Sequence, residues 1–152
     1  WDLGAGTGSV SITCAKCCPY GQVYAVEYQE QALDILRQNC AYLQAENVTV
    51  IAGRAETVLS ELPVPDCIFI GGSNGAFPEI LQQIQQLPKS VRLVVSAVTL
   101  ETQAEVTQLL QDAPQLEIIP VFSGQSRKVG RYHVLQPYHP VLLFACTGGK
   151  SS

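Results

Sequence analysis

The stretch Asp2-Leu3-Gly4-Ala5-Gly6-Thr7-Gly8-Ser9 places three glycines at alternate positions close to the start of the sequence. Glycine adopts backbone conformations that other residues avoid, so this spacing is typical of a tight turn whose backbone comes close to a ligand. In doubly wound α/β folds such a turn joins a strand to a helix, and the helix N-terminus then faces the ligand. The stretch therefore predicts a strand end, a glycine-rich turn and a helix in succession.

The sequence beyond this turn alternates short β-branched runs with amphipathic helical patterns. Runs rich in Val, Ile, Tyr and Phe predict buried parallel strands over 22–26, 48–52, 67–70 and 91–98. Apolar residues that recur every three or four positions predict helices over 29–45, 77–87 and 101–113. At the start of the last helix, Thr102 and Glu105 have the spacing of a capping box.

The pattern changes in the last quarter of the chain. Two strand-like runs, 116–122 and 141–146, have no helix between them, only the predicted loop 123–140. They indicate an antiparallel pair at one edge of the sheet. The predicted fold class is therefore α/β, a Rossmann-like and mostly parallel doubly wound sheet with a C-terminal antiparallel hairpin. With 152 residues the chain has the length of a single domain, 1–152.

Composition excludes several classes of protein. Hydrophobic residues make up 47% of the chain and charged residues 14%, which is too apolar for an intrinsically disordered protein. The first ten residues are not a basic segment followed by an apolar one, and no run approaches the roughly 18 apolar residues that span a bilayer. We therefore expect a cytoplasmic protein that neither is secreted nor enters a membrane.

The sequence contains six cysteines: Cys14, Cys17, Cys18, Cys40, Cys67 and Cys146. The first three lie inside a predicted helix, and no second C-x-x-C or H-x-x-x-H completes a tetrahedral zinc shell. Free cysteine behaves as a small hydrophobic residue in a reducing compartment. We therefore predict buried or half-buried free thiols and no metal site.

Glu27 follows the second predicted strand, 23 residues after Gly4. In dinucleotide-binding folds an acidic residue at about this distance accepts hydrogen bonds from ribose hydroxyls, so Glu27 predicts a nucleoside site. Its alternative role is that of an acid at a helix N-terminus. The dinucleotide pattern G-x-G-x-x-G requires a third glycine where this chain has Ser9. Residues 2–8 instead match D-x-G-x-G-x-G, the pattern of Rossmann-type enzymes that bind S-adenosylmethionine.

Two later segments complete the predicted cofactor site. Gly53-Arg54-Ala55-Glu56 follows the third strand, where an adenine ring would lie. Ile70-Gly71-Gly72-Ser73 ends the fourth strand, beside the place to which the methyl group on the cofactor's sulfur would point. Enzymes that methylate nucleic-acid bases usually carry a polar residue, two prolines and an aromatic here, so the glycine pair disfavours that activity. The predicted cofactor contacts are Asp2, Gly4, Gly6, Gly8, Glu27, Tyr28, Gly53, Arg54, Ala55 and Gly71.

Taken together, these motifs resemble the decarboxylating precorrin-6Y C5,15-methyltransferases of vitamin B12 biosynthesis. The similar segments are 2–9, 24–27, 53–56, 69–73, 97–102 and 126–141. The glycine turn marks a large superfamily, and Gly71-Gly72-Ser73 together with Thr99-Leu100-Glu101-Thr102 is more specific. The resemblance implies transfer of a methyl group from S-adenosylmethionine to carbon 15 of precorrin-6B or its cobalt form, with decarboxylation of an acetate side chain.

The resemblance also implies a set of substrate contacts: Gly72, Ser73, Thr99, Arg127, Lys128 and Arg131. Residues 118–152 hold four basic residues and no acidic one, while residues 1–117 hold all 13 acidic residues. The basic segment between the last two strands would therefore attract a substrate with several carboxylates. His133 could also hold a carboxylate, whereas His139 before Pro140 is predicted to be a turn residue. No nucleophile and base pair is evident, so the catalytic residues are unassigned.

The chain departs from the family at its start. Trp1 stands at the end of the first predicted strand, so we expect the N-terminal helix and most of that strand to be missing. Family members are often fused to a module that methylates carbon 5, and relatives can form tetramers. A fused carbon 5 module and a homo-oligomer such as a tetramer are therefore both open for this chain. Two alternatives remain: a Rossmann-fold methyltransferase acting on protein or RNA, and an incomplete, non-catalytic Rossmann domain. Aromatic platforms for nucleic acid are limited to Tyr132 and Tyr138, so no nucleic-acid partner is predicted.

Overall fold

The computed structural model describes residues 1–149, so Lys150, one of the basic residues counted above, lies outside it. The strands are β1 Asp2–Leu3, β2 Val23–Glu27, β3 Val48–Ala52, β4 Cys67–Ile70, β5 Val91–Ala97, β6 Glu117–Val121, β7 Gly124–Val129, β8 Tyr132–Pro137 and β9 Val141–Gly148. The helices are α1 Ser9–Cys17, α2 Glu30–Tyr42, α3 Ala55–Val58, α4 Phe77–Gln85 and α5 Leu100–Leu110, with a 3-10 turn at Leu59–Glu61.

Seven strands form one sheet in the order β3-β2-β1-β4-β5-β9-β6. Strands β1 to β5 run parallel, and β9 runs antiparallel to both β5 and β6. The predicted α/β class is confirmed. The strand order reverses on either side of β1, and ligands of open α/β sheets bind at the carboxyl ends of the strands at such a reversal.

The segment 123–140, predicted as a loop, contains a second, two-stranded sheet. Strands β7 and β8 pair antiparallel, with Arg127 opposite Val134 and Lys128 opposite His133. Every residue of both strands is exposed. Because neither face is buried, the sequence lacks the alternation of apolar and polar residues that marks a strand, and the prediction of a loop was wrong.

The start of α5 also differs from the prediction. Thr99 is the residue that caps the helix, and its Oγ1 accepts a hydrogen bond from the Thr102 backbone N–H at 3.2 Å. Thr102 therefore occupies the third helical position, and the capping box predicted on Thr102 and Glu105 was wrong by one turn. This one-turn difference places the Glu105 side chain away from the helix end.

The main core lies between the sheet and helices α3, α4 and α5. Helix α4 buries one face completely, through Phe77, Ile80, Leu81 and Ile84, as its apolar periodicity predicts. No helix within residues 1–149 is long and apolar enough to cross a membrane.

The cysteines were predicted to be buried or half-buried, and for four of them this was wrong. Cys14, Cys17, Cys18 and Cys67 are exposed, Cys40 is half-buried and Cys146 is buried. The first three lie at the C-terminal end of α1, whose buried side is formed by Ser11, Ile12 and Ala15 instead. Within residues 1–149, no group of three or more His, Cys, Asp or Glu side chains could hold a metal ion.

Candidate active site

The glycine-rich turn lies at the carboxyl end of β1. The backbone N–H groups of Gly4 and Ala5 both donate to the Val26 carbonyl at 3.0 Å, which fixes the turn against β2. Gly4, Gly6 and Gly8 all have left-handed backbones, with φ of 73°, 56° and 87°. Residues with a β-carbon rarely adopt this conformation, so the structure explains the spacing of the three glycines.

Gly4 also faces the loop that follows β4. A β-carbon at Gly4 would overlap the Gly72 carbonyl oxygen and lie 2.9 Å from the Gly72 nitrogen. At Gly72, by contrast, an added β-carbon would meet no protein atom within 4 Å. The two loops therefore touch on the Gly4 side, and the Gly72 backbone is open toward a cavity.

Glu27 links the glycine turn to the start of α2. Its side chain is buried, with only 6% of the residue surface exposed. One carboxylate oxygen, Oε2, accepts a hydrogen bond from the Gly6 N–H at 2.8 Å, and Oε1 accepts from Tyr28 N–H at 2.8 Å and Gln29 N–H at 2.9 Å. The predicted alternative role, a helix N-cap or first-turn acid, was wrong, because Gln29 caps α2 and Glu30 is the acid in its first turn. Glu27 instead fixes the loop between β2 and α2.

These three bonds limit what Glu27 can still bind. A carboxylate accepts about four hydrogen bonds, two on each oxygen, so one acceptor position remains, on Oε2. The carboxylate can accept one ribose hydroxyl without losing a backbone partner. Binding both hydroxyls, as the sequence predicted, would require one of the three backbone bonds to give way.

A first cavity lies beside Glu27 and collects most of the predicted cofactor residues. Its lining residues are Gly4, Val26, Glu27, Tyr28, Gly53, Arg54, Ala55, Glu56, Gly72, Ser73 and Asn74. Four predicted cofactor contacts, Asp2, Gly6, Gly8 and Gly71, do not line it, and Gly71 lines a second cavity instead. Gly8 caps α1 and packs against Leu36, whereas Gly6 contacts Glu27 through its backbone.

Asp2 faces the interior of the protein. Its side chain is 3% exposed and accepts a hydrogen bond from the Ser11 hydroxyl on α1. Burial raises the pKa of this carboxyl, and the bond from Ser11 opposes that shift. Asp2 therefore holds the first strand against α1 rather than lining the cavity.

Arg54 and its neighbours form one wall of the first cavity. The Arg54 guanidinium lies 4.9 Å from the centre of the Tyr28 ring, and its Nε contacts Glu56 Oε1 at 2.6 Å. The bond to Arg54 lowers the pKa of Glu56, and the same contact raises the pKa of Arg54. These side chains place an aromatic face and a cation where the sequence predicted an adenine ring.

A second cavity, of about 440 Å³, lies at the carboxyl ends of β4 and β5. Its polar lining consists of Ser73, Asn74, Ser96, Thr99, Glu101, Thr102 and Glu105, and Gly71 and Gly72 complete its floor. The predicted contacts Gly71, Gly72, Ser73 and Thr99 are therefore brought together here. The loop Gly72–Asn74 lines both cavities, so they meet at this loop.

The sequence analysis missed two acidic residues of the second cavity, Glu101 and Glu105. They lie four positions apart on α5 and therefore on the same face of the helix. That spacing could have indicated a shared face. Only the packing of α5 against the sheet shows that this face borders a cavity.

The basic residues predicted to bind substrate lie on the β7–β8 hairpin. Cross-strand partners share a face, so Arg127 and Val134 lie on one face, and Lys128 and His133 lie on the other. The Arg131 guanidinium lies 5.0 Å from the centre of the Tyr132 ring, and its Nε donates to the Tyr132 hydroxyl at 2.9 Å. Tyr132 is on the Arg127 face, so Arg131 lies with Arg127, and the three residues do not form one cluster.

The fold and the paired cavities define a Rossmann-like methyltransferase. The sequence matches the family model described as "Precorrin methyltransferase domain" over residues 1–148, and the chain belongs to this family. It is 35% identical over 146 residues to a probable cobalt-precorrin-6B C(15)-methyltransferase (decarboxylating) of Pyrobaculum calidifontis, covering 93% of this chain and 74% of the relative.

Solved structures agree with this assignment. A precorrin-6Y C5,15-methyltransferase from Geobacter metallireducens superposes with a TM-score of 0.88 and 33% identity, covering 97% of this chain and 78% of the other. A longer relative, the precorrin-6Y C(5,15)-methyltransferase [decarboxylating] of Sinorhizobium, is 29% identical over 151 residues, which are 98% of this chain and 36% of the relative.

Proposed function

We propose that this protein is an S-adenosylmethionine-dependent C-methyltransferase of cobalamin biosynthesis. It methylates carbon 15 of precorrin-6B or its cobalt form and removes carbon dioxide from an acetate side chain of the ring. The observation that carries this proposal is the pair of cavities that meet at Gly72–Asn74, one beside Glu27 and one at the ends of β4 and β5. Membership of the precorrin methyltransferase family supplies the substrate class.

In this proposal the residues around the first cavity bind the nucleoside part of S-adenosylmethionine. Glu27 has one free acceptor position for a ribose hydroxyl, and the Tyr28 ring and Arg54 border the space for an adenine. The Gly72 backbone is open on the cavity side, because a β-carbon added there would meet no protein atom within 4 Å. When bound, the cofactor would supply an electrophilic methyl group on a positively charged sulfur, and Glu27, Tyr28 and Arg54 would hold its nucleoside part.

The second cavity takes the carbon that is methylated. A meso carbon between electron-rich pyrroles is already nucleophilic, so the protein contributes alignment more than a strong base. Gly71 and Gly72 let a large planar ring approach the loop backbone, and Ser73 and Thr99 provide hydroxyl groups at the same place. Both cavities open on Gly72–Asn74, so the donor and the acceptor meet there.

The hairpin supplies the positive charge that a polycarboxylate substrate needs. It leaves the sheet after Val121 and returns at Val141, which pair with each other. The neighbouring pair Ala97 and Leu142 marks the carboxyl end of β5, so the hairpin emerges at the sheet edge where the second cavity lies. In this proposal Arg127 and Arg131, which share one face of the hairpin, bind substrate carboxylates, and the hairpin covers a bound ring as a lid.

The proposed protein has one catalytic domain, which other domains or copies of the chain can join. The chain acts as a single methyltransferase domain, 1–152, in the cytoplasm. The longer Sinorhizobium relative supports a fused module that methylates carbon 5, and the fully exposed β7 and β8 strands support assembly of copies into a homo-oligomer such as a tetramer. A two-stranded sheet is marginally stable in water by itself, so contact with another copy would stabilise it.

The proposal is tested by two measurements on the same preparation. Calorimetry should show binding of S-adenosylmethionine in the micromolar range that is common for such ligands. Mass spectrometry of the tetrapyrrole after incubation should show one added methyl group and one lost carbon dioxide. Cofactor binding with methylation of protein or RNA instead would replace the substrate assignment, and absence of cofactor binding would leave a non-catalytic Rossmann domain.

A further inference from the structure

The second cavity has an unusual charge for a site that receives a polycarboxylate. Glu101 and Glu105 both line it, and its described lining contains no Lys, Arg or His. Glu105 is half-buried and Glu101 is exposed. The side chain of neither residue forms an ion pair or hydrogen bond with another residue within 1–149. The cavity therefore presents two unpaired carboxylates.

Two carboxylates one helical turn apart repel each other and weaken the helix by a few tenths of a kcal/mol. Their field favours positive charge in the cavity and disfavours negative charge. Substrate carboxylates would therefore be repelled from this cavity and drawn to Arg127 and Arg131, on the oppositely charged hairpin. The ring itself, with its pyrrole N–H groups, is the part of the substrate that fits beside Glu105.

The chemistry of methyl transfer gives this field a function. The bond between the methyl carbon and sulfur breaks with its electron pair staying on sulfur, while an electron pair of the ring forms the new carbon–carbon bond. The ring is left with one positive charge. That charge is later cancelled when the ring loses a proton to water, or when an ionised acetate loses neutral carbon dioxide and the electron pair of the broken carbon–carbon bond passes into the ring.

We propose that Glu105, assisted by Glu101, is a catalytic residue whose carboxylate faces the tetrapyrrole ring and stabilises the positive charge that methyl transfer places on it. This inference rests on the proposed function. A fixed carboxylate in a partly enclosed cavity favours the charged transition state over the neutral ring that binds first. Its removal should therefore slow turnover more than it weakens binding.

The test compares Glu105→Gln, Glu105→Asp and Glu101→Gln with Asp112→Asn, which removes an equal charge just beyond α5 at an exposed site outside the cavity. Glu105→Gln should lower kcat about 10- to 100-fold, with the KM for tetrapyrrole and the Kd for S-adenosylhomocysteine within about twofold of wild type. Glu101→Gln should lower kcat less, Glu105→Asp should restore most of the activity, and Asp112→Asn should match wild type.

Three results would overturn the inference: an unchanged kcat in Glu105→Gln, a rise in KM with no fall in kcat, or an equal fall in Asp112→Asn. If Glu105→Gln does not fold, as judged by circular dichroism, Glu101→Gln and Glu105→Asp carry the test, and an unchanged kcat in Glu101→Gln then overturns it. Failure of the proposed function is distinguished by the wild-type protein, which in that case would not methylate the tetrapyrrole at all.

Discussion

Gly4 and Gly72 touch across the join between the two cavities, so that a β-carbon on Gly4 would overlap the Gly72 carbonyl oxygen. The contact is one-sided, because a β-carbon on Gly72 would meet no protein atom within 4 Å. The same chemical change at these two positions should therefore have different effects on the protein.

Gly4→Ala should lower the free energy of unfolding by about 1–3 kcal/mol, because it combines this overlap with a left-handed backbone of φ 73°. Gly72→Ala should change it by less than about 0.5 kcal/mol. Its methyl group would instead occupy space at the meeting point of the cavities, so methyl transfer should fall. Urea denaturation measures the stability of both variants, and equal destabilisation would contradict the contact.

Glu27 has both a structural and a binding role, and two variants separate them. Glu27→Ala leaves three backbone N–H groups without their partner, so it should lower the free energy of unfolding by roughly 1–3 kcal/mol in addition to weakening cofactor binding. Glu27→Gln keeps one acceptor oxygen. It should retain more stability and weaken S-adenosylmethionine binding by about 1.5–3 kcal/mol, as expected for hydrogen bonds to a charged group.

The matched control for Glu27→Gln is Glu30→Gln, which removes an exposed carboxylate from the first turn of α2 outside both cavities. Calorimetry should give this control the wild-type affinity for S-adenosylmethionine. An unchanged affinity in Glu27→Gln itself would place the ribose elsewhere.

The two faces of the hairpin give a prediction for substrate binding. Arg127→Ala combined with Arg131→Ala removes both cations from one face and should raise the KM for the tetrapyrrole roughly tenfold at low salt, with little effect at high salt. Lys128→Ala lies on the opposite face and should raise it much less. Affinity for S-adenosylmethionine should stay unchanged in all of these variants, and equal effects of Lys128 and Arg127 replacement would argue against a preferred face.

Asp2 predicts a pH dependence of stability. Burial raises its pKa above the ordinary value of 3.8, so the folded protein binds the proton more tightly than the unfolded chain. This group therefore stabilises the fold fully below pH 3.8, and the contribution is lost as pH rises through the folded pKa. Asp2→Asn removes the titration and keeps an acceptor for Ser11.

The difference in free energy of unfolding between Asp2→Asn and wild type should therefore increase in favour of the variant as pH rises through this window. Above it the difference should be constant. Denaturation curves at several pH values measure this, and a difference that is independent of pH would show that Asp2 does not titrate differently in the two states.

Much of the fold could be predicted because its signals are local. Strand β3 was predicted with its observed bounds, and helix α4 buries the apolar stripe that its spacing indicated. The three glycines predicted a turn because only glycine readily takes positive φ, and all three have it. Glu27 was placed at the strand end by its distance from Gly4, although its three backbone partners were not foreseen.

The remaining features depend on contacts between distant parts of the chain. The antiparallel pairing of β6 with β9 was predicted, but sequence spacing did not indicate that β9 would also pair with β5, because pairing of strands depends on neighbours far apart in sequence. The same is true of the hairpin, whose strands are exposed on both faces and so carry no apolar alternation. The separation of Lys128 from Arg127 follows from that pairing alone.

Local sequence signals predicted where the backbone turns, the strands of the seven-stranded sheet, four of its helices, and which end of that sheet approaches a ligand. Those properties follow from the conformational limits of glycine and from apolar spacing within single elements. The position of Asp2 against α1 and of Glu105 beside the second cavity became evident from the packing of the elements alone. Burial of a side chain depends on which elements pack over it, and that information is spread over the whole chain.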